Sequence, residues 1–228
     1  MASHKEIAFE EEICGHLGAH GWLHEAGDAQ HYDRPRALYP PDVIAWIQES
    51  QPKVWETLTQ KHGTHAETIL LDRIRKQMNQ VGTLDVLRHG VDVLGLRSPV
   101  LMAQFKPALG MNPELQARYA ANRLRVIRQV HYSMHNENSL DLMLCLNGLP
   151  VGTAELKTDF TQSVEDAVDQ YRFDRHPKPK GQFAAEPLLS FPSGALVHFA
   201  VSNAEVWMTT RLAGPDTRFL PFNRNRTV

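Results

Sequence analysis

The sequence predicts a mixed α/β fold: a sheet flanked by helices, with a helical N-terminal part. Three observations predict it. Apolar residues recur at helical spacing through the first third of the chain, while short β-rich apolar runs dominate from about residue 122 onward. Two apolar strands meet at Asn147-Gly148, a dipeptide that accepts the positive φ a two-residue hairpin turn requires. The order of elements, with helices first and then strands, hairpin, helix and strands, suits a sheet whose neighbours are largely antiparallel. A crossover helix after the second hairpin strand lets the following strand run parallel to it.

Residues 4–19 read as a helix with Ile7, Glu10, Ile13, Cys14 and Leu17 on one stripe. Glu10 is the odd member, and by itself it reads as a stripe-edge residue reaching water. An irregular loop is expected over 21–40. Short helices follow at 41–50 and at 52–62, the second ended by Gly63. A longer helix, 65–80, turns Ile69, Leu70, Ile74 and Met78 inward and stops at Gly82. Leu84–Leu87 and Val91–Leu94 read as short strands around His89-Gly90, and 98–113, with three prolines, as a loop. Asn122–Ser133 reads as a strand. Ser163–Arg175 reads as a helix, opened by Ser163 with Asp166 three residues on and buried through Val164, Ala167, Val168 and Tyr171. A Pro-rich loop at 176–187 precedes a final strand pair, Ala195–Ser202 and Glu205–Thr210.

A chain of 228 residues, 42% hydrophobic, suits one domain with a sizeable core. It divides into a helical part, about 1–82, a core, about 83–212, and a tail, 213–228. The formal charge of −2 makes no global demand for nucleic acid, so any such contact must come from local patches. Cys14 and Cys145 show no zinc spacing and read as reduced core residues. No apolar run is long enough to span a membrane and the N-terminus has no signal-peptide core, so a soluble, cytoplasmic protein is expected. The 12 histidines are scattered without HExxH spacing and are expected mostly on the surface or in loops.

The chemistry concentrates in NSLDLMLCLNGLPVGTAELKTDF, residues 138–160. Alternation puts Glu155 and Lys157 on one face of the second strand with Val151 and Thr153. On the first strand Asp141 shares a face with Met143 and Cys145, and Leu140, Leu142, Leu144 and Leu146 point the other way. Buried charge costs several kcal/mol unless it is paired or bound to metal. Fold stability does not ask for these three residues, whereas metal-dependent phosphodiester cleavage does. Asp141 and Glu155 could bind Mg²⁺, the Leu156 carbonyl could add an oxygen, and Lys157 could orient the attacking water or stabilise the transition state. The competing reading of Glu155 and Lys157 is a salt-bridged pair on a sheet face. Arg118, Arg123, Arg125 and Arg128 precede the hairpin, and Arg172, Arg175, Lys178 and Lys180 follow it. Such flanking clusters could hold phosphates, or be ordinary solvated surface.

These blocks resemble the N-terminal nuclease region of the restriction (motor) subunit of type I restriction endonucleases. The likeness runs through AFEEEICGHLGAHGW, NRLRVIRQVHYS, SLDLMLCLNGLPVGTAELKTDF, DAVDQYRFDR, VHFAVS and MTTRLAGPDTRFLPFN, in the family's order. It implies a restriction-endonuclease-like PD-(D/E)xK core. Asp141, Glu155 and Lys157 would be its catalytic triplet, with Glu10 on the opening helix helping to hold metal indirectly. Gln170, on the helix after the site, would contact DNA or couple nuclease to motor. Two positions depart from the pattern: Leu140 stands in place of the motif proline, and Asp174 where related nucleases usually keep a tyrosine. The resemblance further implies double-stranded DNA as substrate, and the motor domain, methyltransferase and specificity subunits as partners. ATP would serve only the motor. The chain ends at PFNRNRTV without a Walker A sequence, so the motor is expected outside these residues, whether the chain is an excised domain or a truncated product. Two other functions stay open: a docking module that is silent in isolation, and a stand-alone repair nuclease.

Overall fold

Asn147 and Gly148 take φ values of 50° and 79°, and the hairpin they close organises the sheet. The turn is fixed from outside as well. A Cβ at Gly148 would lie 2.4 Å from the Tyr39 carbonyl oxygen and 2.5 Å from Val43, so only glycine fits. Asn147 is fully buried, accepting from the Arg123 amide and donating to the Met102 carbonyl and Asn122.

The computed structural model describes residues 4–158 and 163–222. Its helices are α1 (His4–Ala19), α2 (Pro40–Ser50), α3 (Pro52–His62), α4 (Ala66–Val81), α5 (Thr83–His89), α6 (Pro113–Ala120) and α7 (Val164–Asp169), the last running into a π-helical turn, Gln170–Asp174. The strands are β1 (Leu124–His131), β2 (Ser139–Leu146), β3 (Leu149–Leu156), β4 (Val197–Val201), β5 (Val206–Thr209) and β6 (Leu220–Pro221). They form one mixed sheet in sequence order. All neighbours are antiparallel except β3 and β4, which α7 connects in parallel as expected.

Three apolar clusters hold the elements together. Cys14, Phe9, Ile13 and Leu17 of α1 cover one sheet face through Val126, Leu142, Ala154 and Leu156. Val164, Ala167, Val168 and Tyr171 cover the other through Ile127, Met143, Cys145 and Ala200. Helices α2 to α5 pack around Trp46, Ile74 and Met78 and take in the hairpin end of the sheet at Leu149. The hairpin turn is therefore clamped at one end, leaving the other end, where β1 and β3 finish and β2 begins, for α1 and the π-helical turn.

Some expectations are corrected. Residues 84–87 are helical: Gly82, at φ 94°, ends α4 and restarts the chain as α5, and so short an apolar run does not distinguish strand from helix. Val91 makes only an isolated bridge to Val100. Helix α6 begins at Pro113, where Asn112 caps the Glu114 and Leu115 amides, inside what read as the end of a loop. The expected tail contributes β6; its last residues, 223–228, lie outside the described residues, as do 1–3 of the helical part. Ile7 is 41% exposed, so the stripe of α1 faces the sheet only from Phe9 onward. Cys14 and Cys145 are free and buried as expected, but His198 is a core residue.

Candidate active site

Pairing between β2 and β3 stops at Leu142–Ala154, one step short of Asp141 and Glu155. There the Asp141 carboxylate replaces the ladder: its Oδ2 accepts the Leu156 amide at 2.8 Å. Beyond this point β3 leans on β4, with Glu155 opposite Ala200 and the Lys157 amide donating to the Val201 carbonyl at 2.8 Å. The divergence opens a notch between β2 and β3 with one carboxylate on each side.

The distortion begins on β1. Gln129 has φ 48°, a left-handed backbone rarely taken by a residue with a Cβ. It reverses the strand's alternation, so Ile127 and Val130, three apart, join the same cluster. On β2, Leu140 likewise joins Met143 in that cluster rather than pointing with Leu142, which corrects the simple alternation expected there.

A polar chain crosses this end of the sheet. Glu10 of α1, 2% exposed, accepts from Arg128 Nε at 3.0 Å and from Gln129 Nε2 at 2.6 Å. The same Gln129 Nε2 lies 3.2 Å from Asp141 Oδ1. Asp141 lies close enough to Glu155 for its charge to act on it, and Glu155, 1% exposed, accepts from Arg175 Nε at 2.6 Å. Burial, and then the adjacent Asp141 charge, push the Glu155 carboxyl up to about 8 against the pull of Arg175. Burial also raises Glu10, with Asp141 adding to the effect and Arg128 and Gln129 opposing it. Three carboxylates thus face two guanidiniums in a low-dielectric notch. Under Glu155, the buried Thr153 hydroxyl bonds Tyr171 at 2.8 Å and His198 Nδ1 at 2.7 Å, tying β3 to the π-helical turn and β4. Burial lowers His198 to about 3, so it stays neutral.

The sequence profile described as the N terminus of the type I restriction enzyme R protein matches residues 45–217, well over half of the chain. The chain belongs to that family. A search of curated proteins finds no match. The family points to the nuclease region of the R subunit. Asp141, Glu155, Lys157 and Gln170 lie inside the matched span and Glu10 outside it.

The structure brings Asp141 and Glu155 of this R-protein region together and joins Glu10 to them through Gln129. Lys157, just past the end of β3, is half-buried and forms no ion pair with either carboxylate among the described residues. The charge beside Glu155 is Arg175, whose contact corrects the expectation of a free phosphate-binding side chain. Arg125 is corrected too. It is buried, gripping Asp42 through Nε and a second nitrogen at 2.7 and 3.0 Å and Asp28 at 2.8 Å. Arg123 joins Asp42 at 2.9 Å. Arg128 is held by Glu10, Arg172 donates to the Thr217 carbonyl, and Arg118 lines a groove of about 750 Å³ with Lys53 and Glu114. Lys178 and Lys180 are exposed. Gln170 is half-buried at the start of the π-helical turn, its Oε1 buried and without a hydrogen-bond partner among the described residues. Sequence reasoning missed Gln129 and the Thr153–Tyr171–His198 knot. Nothing local in the sequence singles out Gln129, which lies between the paired positions Arg128–Leu142 and Val130–Leu140.

Proposed function

We propose that this chain is a Mg²⁺-dependent endonuclease domain of a type I restriction complex, hydrolysing phosphodiester bonds of double-stranded DNA without sequence preference after the subunit's ATP-driven motor has moved the DNA. The observation that carries the reading is the Asp141–Glu155 pair in a notch where carboxylates outnumber guanidiniums. The donor set fits a hard divalent cation: oxygens only, with neither thiol nor imidazole among these groups. Among the described residues no group of three or more His, Cys, Asp or Glu converges on one point, so the protein would offer two carboxylates, in keeping with an ion that retains several waters.

Asp141 and Glu155 would hold the ion, with the Leu156 carbonyl as a third oxygen. Bound Mg²⁺ lowers the pKa of an attacking water and neutralises charge on the phosphate. The Leu156 amide fixes one Asp141 oxygen, and Arg175 orients Glu155, whose proton a bound cation would displace. Lys157, outside any ion pair with these carboxylates, is available to stabilise charge that develops on the phosphate. Glu10 supports the site from behind. DNA backbone contact falls to Lys178 and Lys180, with Arg172, Arg128 and Arg123 contributing their exposed edges, and Gln170 couples the π-helical turn to DNA or motor. The motor domain of the same subunit and the methyltransferase and specificity subunits are the partners. Among the described residues no helix is long and apolar enough to cross a membrane.

The test is the complete R subunit assembled with its partner subunits. Asp141→Ala or Glu155→Ala should lower double-strand cleavage by about 10³-fold or more, since several kcal/mol of transition-state stabilisation is lost. ATP-driven translocation should be unchanged. Wild-type cleavage by assembled Asp141→Ala enzyme would remove the site assignment.

A further inference from the structure

Gln129 is the strained residue at the centre of the polar chain. Consecutive strand residues ordinarily face opposite sides of a sheet. Arg128 and Gln129 are consecutive, yet both donate to the carboxylate of Glu10. They can do so because φ at Gln129 is reversed to 48°. A non-glycine residue in that conformation persists only where its surroundings hold it, and such residues concentrate at functional sites. What holds Gln129 is visible: one Nε2 faces Glu10 Oε1 at 2.6 Å and Asp141 Oδ1 at 3.2 Å. A primary amide nitrogen has two protons, one for each carboxylate. It carries no charge. Lysine or arginine here would also donate twice, but would cancel the negative potential of the notch.

We infer that Gln129 is a positioning residue, an uncharged bridge that fixes Asp141 against Glu10 while leaving the notch negative enough to attract a divalent cation. The inference rests on the reading of Asp141 as a cation-holding carboxylate. It adds that the strained turn of β1 places Asp141, and that Glu10 acts on the site through Gln129 rather than directly.

Gln129→Gly is the informative variant, because glycine accepts the positive φ without strain while the amide is lost. A merely structural Gln129 could be replaced this way with no effect on cation binding. With the metal-free chain shown folded by circular dichroism, calorimetry with Mn²⁺ should give a 10- to 100-fold weaker affinity for Gln129→Gly, the usual loss when a ligand's orienting partner is removed. Unchanged affinity would overturn the inference. A second arm needs no metal. In NMR spectra of the metal-free chain, one side-chain amide proton of Gln129 should shift on Glu10→Gln and the other on Asp141→Asn. Indifference of both protons would overturn the bridge. If wild-type protein binds no Mn²⁺ while both protons respond, the bridge stands and the cation reading of the site fails.

Discussion

Two clusters of buried charge grow from β1, three residues apart, and they are built to opposite ends. In the first, Arg125 clasps both oxygens of Asp42 with two nitrogens and Asp28 with a third, and Arg123 shares Asp42 Oδ1 with it. Tyr39 donates to Asp28 at 2.9 Å and its ring lies 4.7 Å from the Arg125 guanidinium. Two carboxylates meet two guanidiniums, and their hydrogen bonds hold Arg125 protonated, its pKa raised against the effect of burial. In the second, three carboxylates meet two guanidiniums and an uncharged amide, and the innermost carboxyl is forced far above its usual range. Balance marks a cluster that fastens loop and helix to the sheet. Imbalance, relieved in the metal-free chain by a proton on Glu155, is what the proposed cation site would use. The same residue types on the same strand are told apart by arithmetic of charge, not by burial.

The largest effect should come from unbalancing the balanced cluster. Asp42→Ala leaves Arg125 buried with half its partners and should cost about 3–5 kcal/mol of stability, read as a drop in the urea midpoint. A loss below about 1 kcal/mol would mean that the cluster does not fasten the fold. A smaller effect should separate the cation near the notch from its carboxylates. Lys157→Ala should lower the single-turnover cleavage rate of the assembled enzyme by about 10²-fold, as loss of one preorganised charge-stabilising donor does. Its Mn²⁺ affinity should stay that of wild type, because an ammonium is not a ligand. An affinity loss matching that of Glu155→Ala would contradict that division of roles.

Much of this was legible in the sequence where local rules decide. The Asn147-Gly148 turn, the helices at α1 to α4, the Ser163–Asp166 cap and the parallel step after α7 follow from periodicity and turn chemistry. Asp141 and Glu155 stood out because carboxylates in apolar strands need a reason. What stayed hidden depends on partners distant in sequence. Arg125 and Arg175 read as surface cations because nothing local announces Asp28, Asp42 or Glu155 as their partners, which lie 97, 83 and 20 residues away. Glu10 read as a residue reaching water because Arg128 and Gln129 are 118 and 119 residues on. The kink at Gln129 breaks the period-two rule on which strand faces were assigned. Sequence pattern gives the elements and singles out the anomalous charges; it does not give the pairing that turns one anomaly into a fastener and another into a site.

The smallest effect is also the most direct reading of imbalance. A glutamate in the unfolded chain releases its proton near pH 4.5, whereas Glu155 in the folded, metal-free chain does so at about 8. Between those values the folded state holds the extra proton, so stability must fall as pH rises through the window. The contribution is fully present below about pH 4.5 and lost by the time Glu155 ionises. Local relaxation around the ionised carboxylate offsets part of the penalty, which leaves about 1–2 kcal/mol, or a few degrees of Tm, between pH 5 and 8. Glu155→Gln keeps an acceptor for Arg175 without the charge. Its Tm should be less sensitive to pH by that amount, and at pH 8 it should exceed that of the wild type although the proposed function has the variant lose DNA cleavage. Adding Mg²⁺ should raise the wild-type Tm at pH 8 and leave Glu155→Gln nearly unmoved. The balanced cluster offers no such gain, since neutralising Asp42 strands a guanidinium. Identical pH slopes for wild type and Glu155→Gln would show that the notch is already compensated within the chain, and the contrast between the two clusters would collapse.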